Sequence, residues 1–328
     1  MADARVVFLH GLHPRIVEAI ISFNPAGFTT TVVDGKSPEA QQVEAVKDAD
    51  FIMAFRAKLT EPILRSAKKA RLVQILSAGY DSINLKLLRE LKIPCANNGG
   101  ANSWAVADYA VLAMLSLYRR LAAADPAVRA GRWSAAIDGM NTFEMANKVV
   151  GVLGFGNIGQ KVARRVQAFY AIVQYCDIAP QTPERERELK VKRVSLDELF
   201  RTSDIISCHA PLTHSTRHVV GGKYLAMMKP TAIIINTSRG PVVDEVALTE
   251  ALQQKRIAGA GLDVFEKEPV DPGNPLLKLE NVVLSPHSAG TTWDTWFRRA
   301  DFAYKNMKRV WDGQPPQAVA TDYDSENP

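Results

Sequence analysis

Short apolar runs alternate with segments of helical spacing along nearly the whole chain. In the first third, RVVFLHGL, FTTTVVD, ADFIMAFR, LVQILSAG and PCANNG read as strands, rich in Val, Ile, Phe or Thr. Between them, PRIVEAIISF, SPEAQQVEAVKDA, EPILRSAKKA and NLKLLRELK carry apolar residues at 3.6-residue spacing. That rhythm predicts βα units and a parallel sheet with helices on both faces. It breaks near residue 101, where one long helix is predicted from Asn102 or Ser103, with Ser103 as its cap, to about Leu121. A second, short helix is expected to begin at Asp125-Pro126. After the loop SAAIDGMNTFEMANK the rhythm resumes with VVGVLGFG, AIVQYCD, VKRV, DIISCHA, TAIIINTS, AGAGLDVF and NVVLSPH as strands. The chain therefore reads as α/β, with two doubly wound parallel-sheet domains. The last helical segment, TTWDTWFRRADFAYKNMKRVWDG, has no strand series of its own and is expected to pack back on the first lobe. The Pro- and acid-rich tail from Gln314 is expected to fray.

Composition narrows the class without changing the architecture. The 328 residues are 47% hydrophobic and 23% charged, enough for two cores and unlike a disordered or collagen-like chain. A net charge of +5 is a weak bias, and the Lys68-Lys69 and Arg119-Arg120 pairs make no basic block, so no nucleic-acid partner is expected. PERERELKVKR mixes both signs and reads as a solvated helix face. Cys95, Cys176 and Cys208 are too scattered for a disulfide framework or a metal site and read as small core residues. The N-terminus lacks the pattern of a secretory signal, and no apolar run is long enough to span a membrane. The expectation is a cytoplasmic protein with no membrane partner and no metal.

VVGVLGFGNIGQKVARRVQAFYAIVQYCD carries the strongest chemical signal. Gly154, Gly156 and Gly159 form GxGxxG between a strand and an amphipathic helix. Such a turn needs one glycine for tightness, one for close approach of a pyrophosphate to backbone N–H groups, and one for strand–helix packing. The glycines alone are a weak signal, but the next strand ends in an acid, Asp177, at the distance where a carboxylate meets the adenosine ribose. That carboxylate would repel a 2′-phosphate, and Ile178-Ala179-Pro180 offers no cation to offset it, so NAD is favoured over NADP. Downstream, Arg239 follows TAIIINTS, Asp263 and Glu268 lie in GLDVFEKEP, and His287 follows NVVLSP. Each has a bland reading as a surface ion pair, a turn cap or a loop residue, Glu266 among them. Their joint placement after separate strands, at the sheet edge where ligands bind, points to a catalytic cluster.

The chain resembles the D-isomer-specific 2-hydroxyacid dehydrogenases in SAGYDSIN (77–84), ANSWAVADYAV (101–111), VLGFGNIG (152–159), HAPLTHST (209–216), NTSRGPVVDEVAL (236–248), AGLDVFEKEP (260–269) and SPHSAGTT (285–292). The resemblance implies a split substrate domain, 1–101 with 291–328, and an inserted NAD-binding domain, 102–290. It implies hydride transfer between NAD(H) and the 2-position of a small 2-hydroxy or 2-keto acid, in a homodimer. Arg239 would clamp the substrate carboxylate and keto oxygen, and His287 would be the general acid/base. Glu268 would hydrogen-bond His287 and favour the imidazolium. Backbone N–H groups of Ala78 and Gly79 would complete the carboxylate site. Asn157 and Ile158 would join the glycines at the pyrophosphate, and Ala210 would lie along the adenosine half. Thr237, Ser238 and Asp263 would meet the nicotinamide side, Asp263 through the carboxamide. Ala289 and Gly290 follow the catalytic His, and Asn102 opens the long helix near the cleft with no settled role.

Related branches leave marks that differ here. Formate dehydrogenases share the Asn at 102 but carry Gln in place of Glu268, and phosphite dehydrogenase places Lys where Ala78 stands. Phosphoglycerate dehydrogenases often carry a further regulatory domain, which a chain ending at Pro328 is not expected to have. An NAD-sensing scaffold or corepressor on the same fold is the reading from a different class. Phe55, Arg56, Tyr80 and Trp293 are candidates for the pocket wall, and Arg56 either binds a second acidic group or lies on the surface.

Overall fold

The computed structural model describes residues 3–133 and 139–321. The first series folds as β1 (Ala4–His10), α1 (Pro14–Ile21), β2 (Phe28–Asp34), α2 (Glu39–Val46), β3 (Phe51–Phe55), α3 (Glu61–Ser66), β4 (Leu72–Ile75), α4 (Leu85–Glu90) and β5 (Cys95–Ala96). Then come α5 (Ser103–Tyr118) and α6 (Leu121–Arg129). The second series is β6 (Val149–Leu153), α7 (Asn157–Ala168), β7 (Ile172–Cys176), α8 (Pro183–Leu189), β8 (Val191–Arg193), α9 (Leu196–Thr202) and β9 (Ile205–Cys208). It continues with α10 (Gly222–Leu225), β10 (Ile233–Asn236), α11 (Glu245–Gln253), β11 (Gly259–Leu262) and β12 (Val282–Leu284), and α12 (Trp293–Trp311) closes the chain.

Two compact units result: residues up to Asn102 together with Thr291 onward (unit 1), and Ser103–Gly290 (unit 2). Unit 1 holds a sheet ordered β2-β1-β3-β4-β5 and unit 2 one ordered β12-β11-β10-β9-β6-β7-β8. Every strand pair in both sheets is parallel. The central strands β3, β4, β9, β10 and β11 are buried along their whole length, as expected where helices cover both faces. Each sheet accordingly has an apolar cluster on either side. In unit 1, α12 contributes Trp296, Ala300, Ala303, Tyr304 and Met307 to one of them.

Register in unit 2 is what positions a site. Leu153 pairs with Cys176 and Cys208, Cys208 with Asn236, Asn236 with Leu262, and Leu262 with Leu284. These six residues form one row across the sheet. One step beyond it stand Asp177, Gly154, His209, Thr237, Asp263 and Ser285.

Several expectations need correction. The long helix ends at Tyr118, and the next begins at Leu121, not at Asp125, with Pro126 inside it. Arg120, at φ 50°, makes the left-handed break between them. Ser103 is the first helical residue of α5, not its cap. The tail does not fray as far as Thr321. Val319 bridges Ala96 in antiparallel sense, Ala320 N–H donates to Cys95 O at 2.8 Å, and Asn97 N–H donates to Ala318 O at 3.0 Å. This short apolar stretch satisfies the open edge of β5. The rest of the expected frayed tail, 322–328, and part of the expected loop, 134–138, lie outside the described residues.

Candidate active site

Gly154 follows β6 at φ 89°, and a Cβ there would stand 2.5 Å from Ala210 N. Only glycine meets both demands. A Cβ on Gly159 would stand 2.3 Å from Gly154 O, so α7 packs against the turn as closely as backbone allows. Gly156, the N-cap of α7, has nothing within 4 Å of its Cβ position. The turn is thus closed where strand and helix meet and open where a phosphate would approach. First-turn N–H groups of the twelve-residue α7, from Asn157, Ile158 and Gly159, have no intrahelical acceptor and suit an anion.

Asp177 directly follows β7. Its Oδ2 accepts from Phe155 N–H at 2.5 Å and its Oδ1 from Ala179 N–H at 2.9 Å, which fixes the carboxylate beside the turn. The fold also brings a cation that the adjacent sequence does not show: Arg193 of β8 donates from Nη2 to Asp177 O at 3.0 Å. These features fit a dinucleotide with its adenosine ribose at Asp177.

On the other side of β6, Ala210, Thr237 and Ser238 are buried. Thr237 Oγ1 lies 3.4 Å from His209 Nδ1, whose Nε2 is 2.8 Å from Ser207 Oγ. Burial pushes the His209 imidazole down to about 3, so it stays neutral. Asn236, itself buried, organises the next loop. Its Oδ1 accepts from Ser238 N–H and Oγ, and its Nδ2 donates to Arg239 O at 2.9 Å. Arg239 donates from Nη1 to Ser238 O at 2.6 Å. Gly240 lies so close to Phe265 O that no Cβ fits.

Glu268 and His287 meet: His287 Nδ1 and Glu268 Oε2 are 2.7 Å apart, and Glu268 Oε1 accepts from Phe265 N–H at 3.1 Å. Burial alone would raise the Glu268 carboxyl. The hydrogen bonds from His287 and Phe265, with the charges of His287 and Arg239, outweigh it and hold the group below the usual carboxylate range. The two side chains keep 47% and 35% exposure, so His287 is open to a small molecule. Arg239, Glu268 and His287 are therefore gathered at one edge of unit 2. Glu266 is set apart, paired with His218 Nε2.

His287 has φ 51°, an uncommon conformation for a residue with a side chain. Asp263 holds it. Its carbonyl accepts His287 N–H at 2.7 Å, and its 1%-exposed carboxylate accepts from Ser285 Oγ (2.5 Å), Ser288 N–H (2.8 Å) and Ala289 N–H (2.9 Å). Gly290 ends this unit. Ala78 and Gly79 belong to unit 1, in the segment after β4, where Ser77 Oγ donates to Gly79 O and Asn97 Nδ2 donates to Ala78 O. Asn102 Oδ1 accepts from Asn98 Nδ2 within unit 1.

Sequence reasoning missed Asn236, His209 and Ser285. Each is a polar residue at or beside a strand's last position, the one local sign that it serves the site and not the core.

Comparison with known proteins agrees with this geometry. Residues 111–289 match the family model described as "D-isomer specific 2-hydroxyacid dehydrogenase, NAD binding domain". A glyoxylate reductase from Korarchaeum cryptofilum is 40% identical over 284 residues, covering 84% of each chain. One from Aeropyrum pernix is 39% identical, covering 97% of this chain and 96% of its own. Among solved structures, the apo form of D-mandelate dehydrogenase from Rhodotorula graminis superposes with a TM-score of 0.85 at 26% identity, covering 98% of both chains.

Proposed function

The chain belongs to the D-isomer specific 2-hydroxyacid dehydrogenase family, and from that premise we propose how its residues divide the work. It is an NAD-dependent oxidoreductase of 2-hydroxy and 2-keto acids. The observation that carries the proposal is the 2.7 Å contact of His287 with Glu268, in reach of the Arg239 charge.

Gly154–Gly159 and Asp177 would hold NAD, whose nicotinamide would supply the hydride chemistry. His287 supplies the proton to the keto oxygen in reduction and takes it back in oxidation. Glu268, ionised through the neutral range, favours the protonated imidazole and fixes its ring through Nδ1, leaving Nε2 to face substrate. Arg239 binds the substrate carboxylate and draws charge from the keto oxygen as it turns into a hydroxyl. Ala78 and Gly79 N–H groups are assigned to the same carboxylate. Asp263, with its oxygens engaged by the 285–289 segment, acts as a positioning residue for His287. Thr237, Ser238, Ala289 and Gly290 are assigned to the nicotinamide side, and Ala210 to the adenosine side. In this reading residues 1–101 with 291–328 form the substrate domain and 102–290 the cofactor domain.

Small 2-keto acids are the substrates, glyoxylate among them on the strength of the relatives. The test is NADH consumption with glyoxylate, hydroxypyruvate and pyruvate. Turnover with any supports the reading; no turnover across a broad 2-keto acid panel overturns it in favour of a cofactor-binding scaffold. A homodimer through α5 and α6 is part of the proposal. Supporting it, Trp104, Leu112, Leu121, Val128 and Trp133 are all exposed, more large apolar surface than one short stretch ordinarily leaves in water. Sedimentation at the mass of one chain would refute it. Among the described residues no helix is long and apolar enough to cross a membrane. All three cysteines are free, which supports a reducing, cytoplasmic location.

A further inference from the structure

Two of the three catalytic side chains come from loops that touch. Arg239 stands on the segment after β10 and Glu268 on the segment after β11. The two segments meet where Gly240 lies so close to Phe265 O and Glu266 N that no Cβ fits. Glu268 is fixed from within its own turn, since its Oε1 accepts from Phe265 N–H at 3.1 Å. Wherever Phe265 and Glu266 go, the Glu268 carboxylate follows, and with it the 2.7 Å contact to His287 Nδ1. Placement of this kind governs rate: an error of about 1 Å can cost roughly a hundredfold. What holds residue 266 therefore bears on the reaction.

Glu266 is held from two sides. Its N–H donates to Glu245 Oε2 at 2.9 Å, and Glu245 Oε1 accepts in turn from Asn274 Nδ2 at 2.7 Å. Its carboxylate accepts from His218 Nε2. His218 comes from a third segment, between β9 and α10, and it grips the Arg239 loop as well: its N–H donates to Pro241 O at 2.7 Å. Two residues on, Val220 bridges Val243 in parallel sense. Val220 N–H donates to Val242 O at 3.1 Å, and Asp244 N–H donates to Val220 O at 3.0 Å. His218 thus binds the Arg239 segment through its backbone and the Glu268 segment through its ring. It does so at φ 52°, uncommon for a residue with a side chain. The charged groups that bear on this junction are His218 and Glu245 at Glu266, and His287 and Arg239 at Glu268. The His218 and Glu266 side chains keep 42% and 32% exposure, and pairs so open to water add little to overall stability. What the pair supplies is placement.

We propose that His218, through Glu266, is a positioning residue that sets the spacing between Arg239 and the Glu268–His287 pair. The proposal rests on the 2-keto acid reductase reading above and adds a residue that acts on the reaction only through Glu268 and the Arg239 loop.

The experiment follows the pH dependence of kcat/KM with NADH, using whichever of glyoxylate, hydroxypyruvate and pyruvate the wild type turns over fastest. Wild type is measured beside Glu266→Ala, Glu266→Gln, His218→Asn and the double variant Glu266→Ala/His218→Asn. His218→Asn keeps the left-handed backbone, which Asn tolerates, and the N–H for Pro241, but its side chain is too short to reach Glu266. In Glu266→Ala and His218→Asn the rate at neutral pH falls roughly tenfold. Their alkaline decline moves to lower pH, because a displaced Glu268 carboxylate supports the His287 imidazolium less well. The double variant falls no further than the lower of the two single variants. Glu266→Gln, which keeps an oxygen for His218 to donate to, retains the wild-type profile. Wild-type profile shapes in Glu266→Ala and His218→Asn, with or without a loss of rate or melting temperature, overturn the positioning role and leave the reductase reading standing. So do losses that multiply in the double variant. So does a shift in Glu266→Gln equal to that in Glu266→Ala, which marks an effect of charge alone. No turnover of any of the three acids by wild type overturns both.

Discussion

The two sheets furnish the carboxyl-end edges of their strands by opposite means. In unit 2 the edge at β6 is lined by glycines, and the polar groups that face outward there are the backbone N–H groups that begin α7. In unit 1 the edge at β1 and β3 is lined by arginine side chains on an aromatic pair. Backbone donors are fixed in place and suit a group common to every turnover, such as a cofactor's pyrophosphate. Side chains can change without disturbing the fold. Both edges also hold a non-glycine residue at positive φ just past a strand, His287 after β12 and Arg56 after β3. At His287 the cost of that conformation, of order 1 kcal/mol, is offset by the Asp263 hydrogen bonds.

The contrast can be broken most forcefully at His287. If unit 2 supplies the acid, His287→Ala lowers kcat by roughly two to four orders of magnitude. NADH affinity, read by fluorescence titration, stays near that of wild type. A collapse of NADH affinity would instead put His287 in the cofactor site. Gly154→Ala comes next. A methyl 2.5 Å from Ala210 N at φ 89° must displace the turn, which costs about 1–3 kcal/mol and weakens NADH binding by roughly tenfold or more. Unchanged thermal denaturation and NADH titration would show that the turn tolerates a side chain. The smallest effect is expected at Asp177. Asp177→Ala narrows the preference for NADH over NADPH, helped by the nearby Arg193. An unchanged ratio of the two kcat/KM values would remove Asp177 from cofactor choice.

Much of this was legible before any coordinates. The central parallel strands are short and mostly apolar, so polar residues just past their ends mark the ligand edge. That is how Asp177 and Asp263 stand out, with His287 three residues past β12, and the register row explains why the two acids line one sheet edge; Thr237 is implied only by the family resemblance. What stayed hidden depends on side-chain direction or on distant pairing. Asp263 reads as one more strand-end acid until its three donors from 285–289 are seen. Arg299 sits in an amphipathic helix beside Arg298, where a basic pair reads as surface, yet its position on the Phe55 ring comes from a strand more than two hundred residues away. The tail looked too polar to order, but its Ala318–Ala320 stretch is what the edge of β5 lacked.

The central claim is that a carboxylate beside His287 keeps a proton available for reduction, and the pH dependence of kcat/KM in wild type and Glu268→Gln tests it most directly. The Glu268 carboxyl lies below its ordinary range, so its charge, and the stability it lends the folded pair, are present at and above neutral pH and are lost only as pH falls through that lowered value. Removing the charge withdraws support from the imidazolium. In Glu268→Gln the alkaline decline of 2-keto acid reduction therefore moves to lower pH, and at neutral pH the rate falls. A profile of unchanged shape, scaled down or not, would contradict the account.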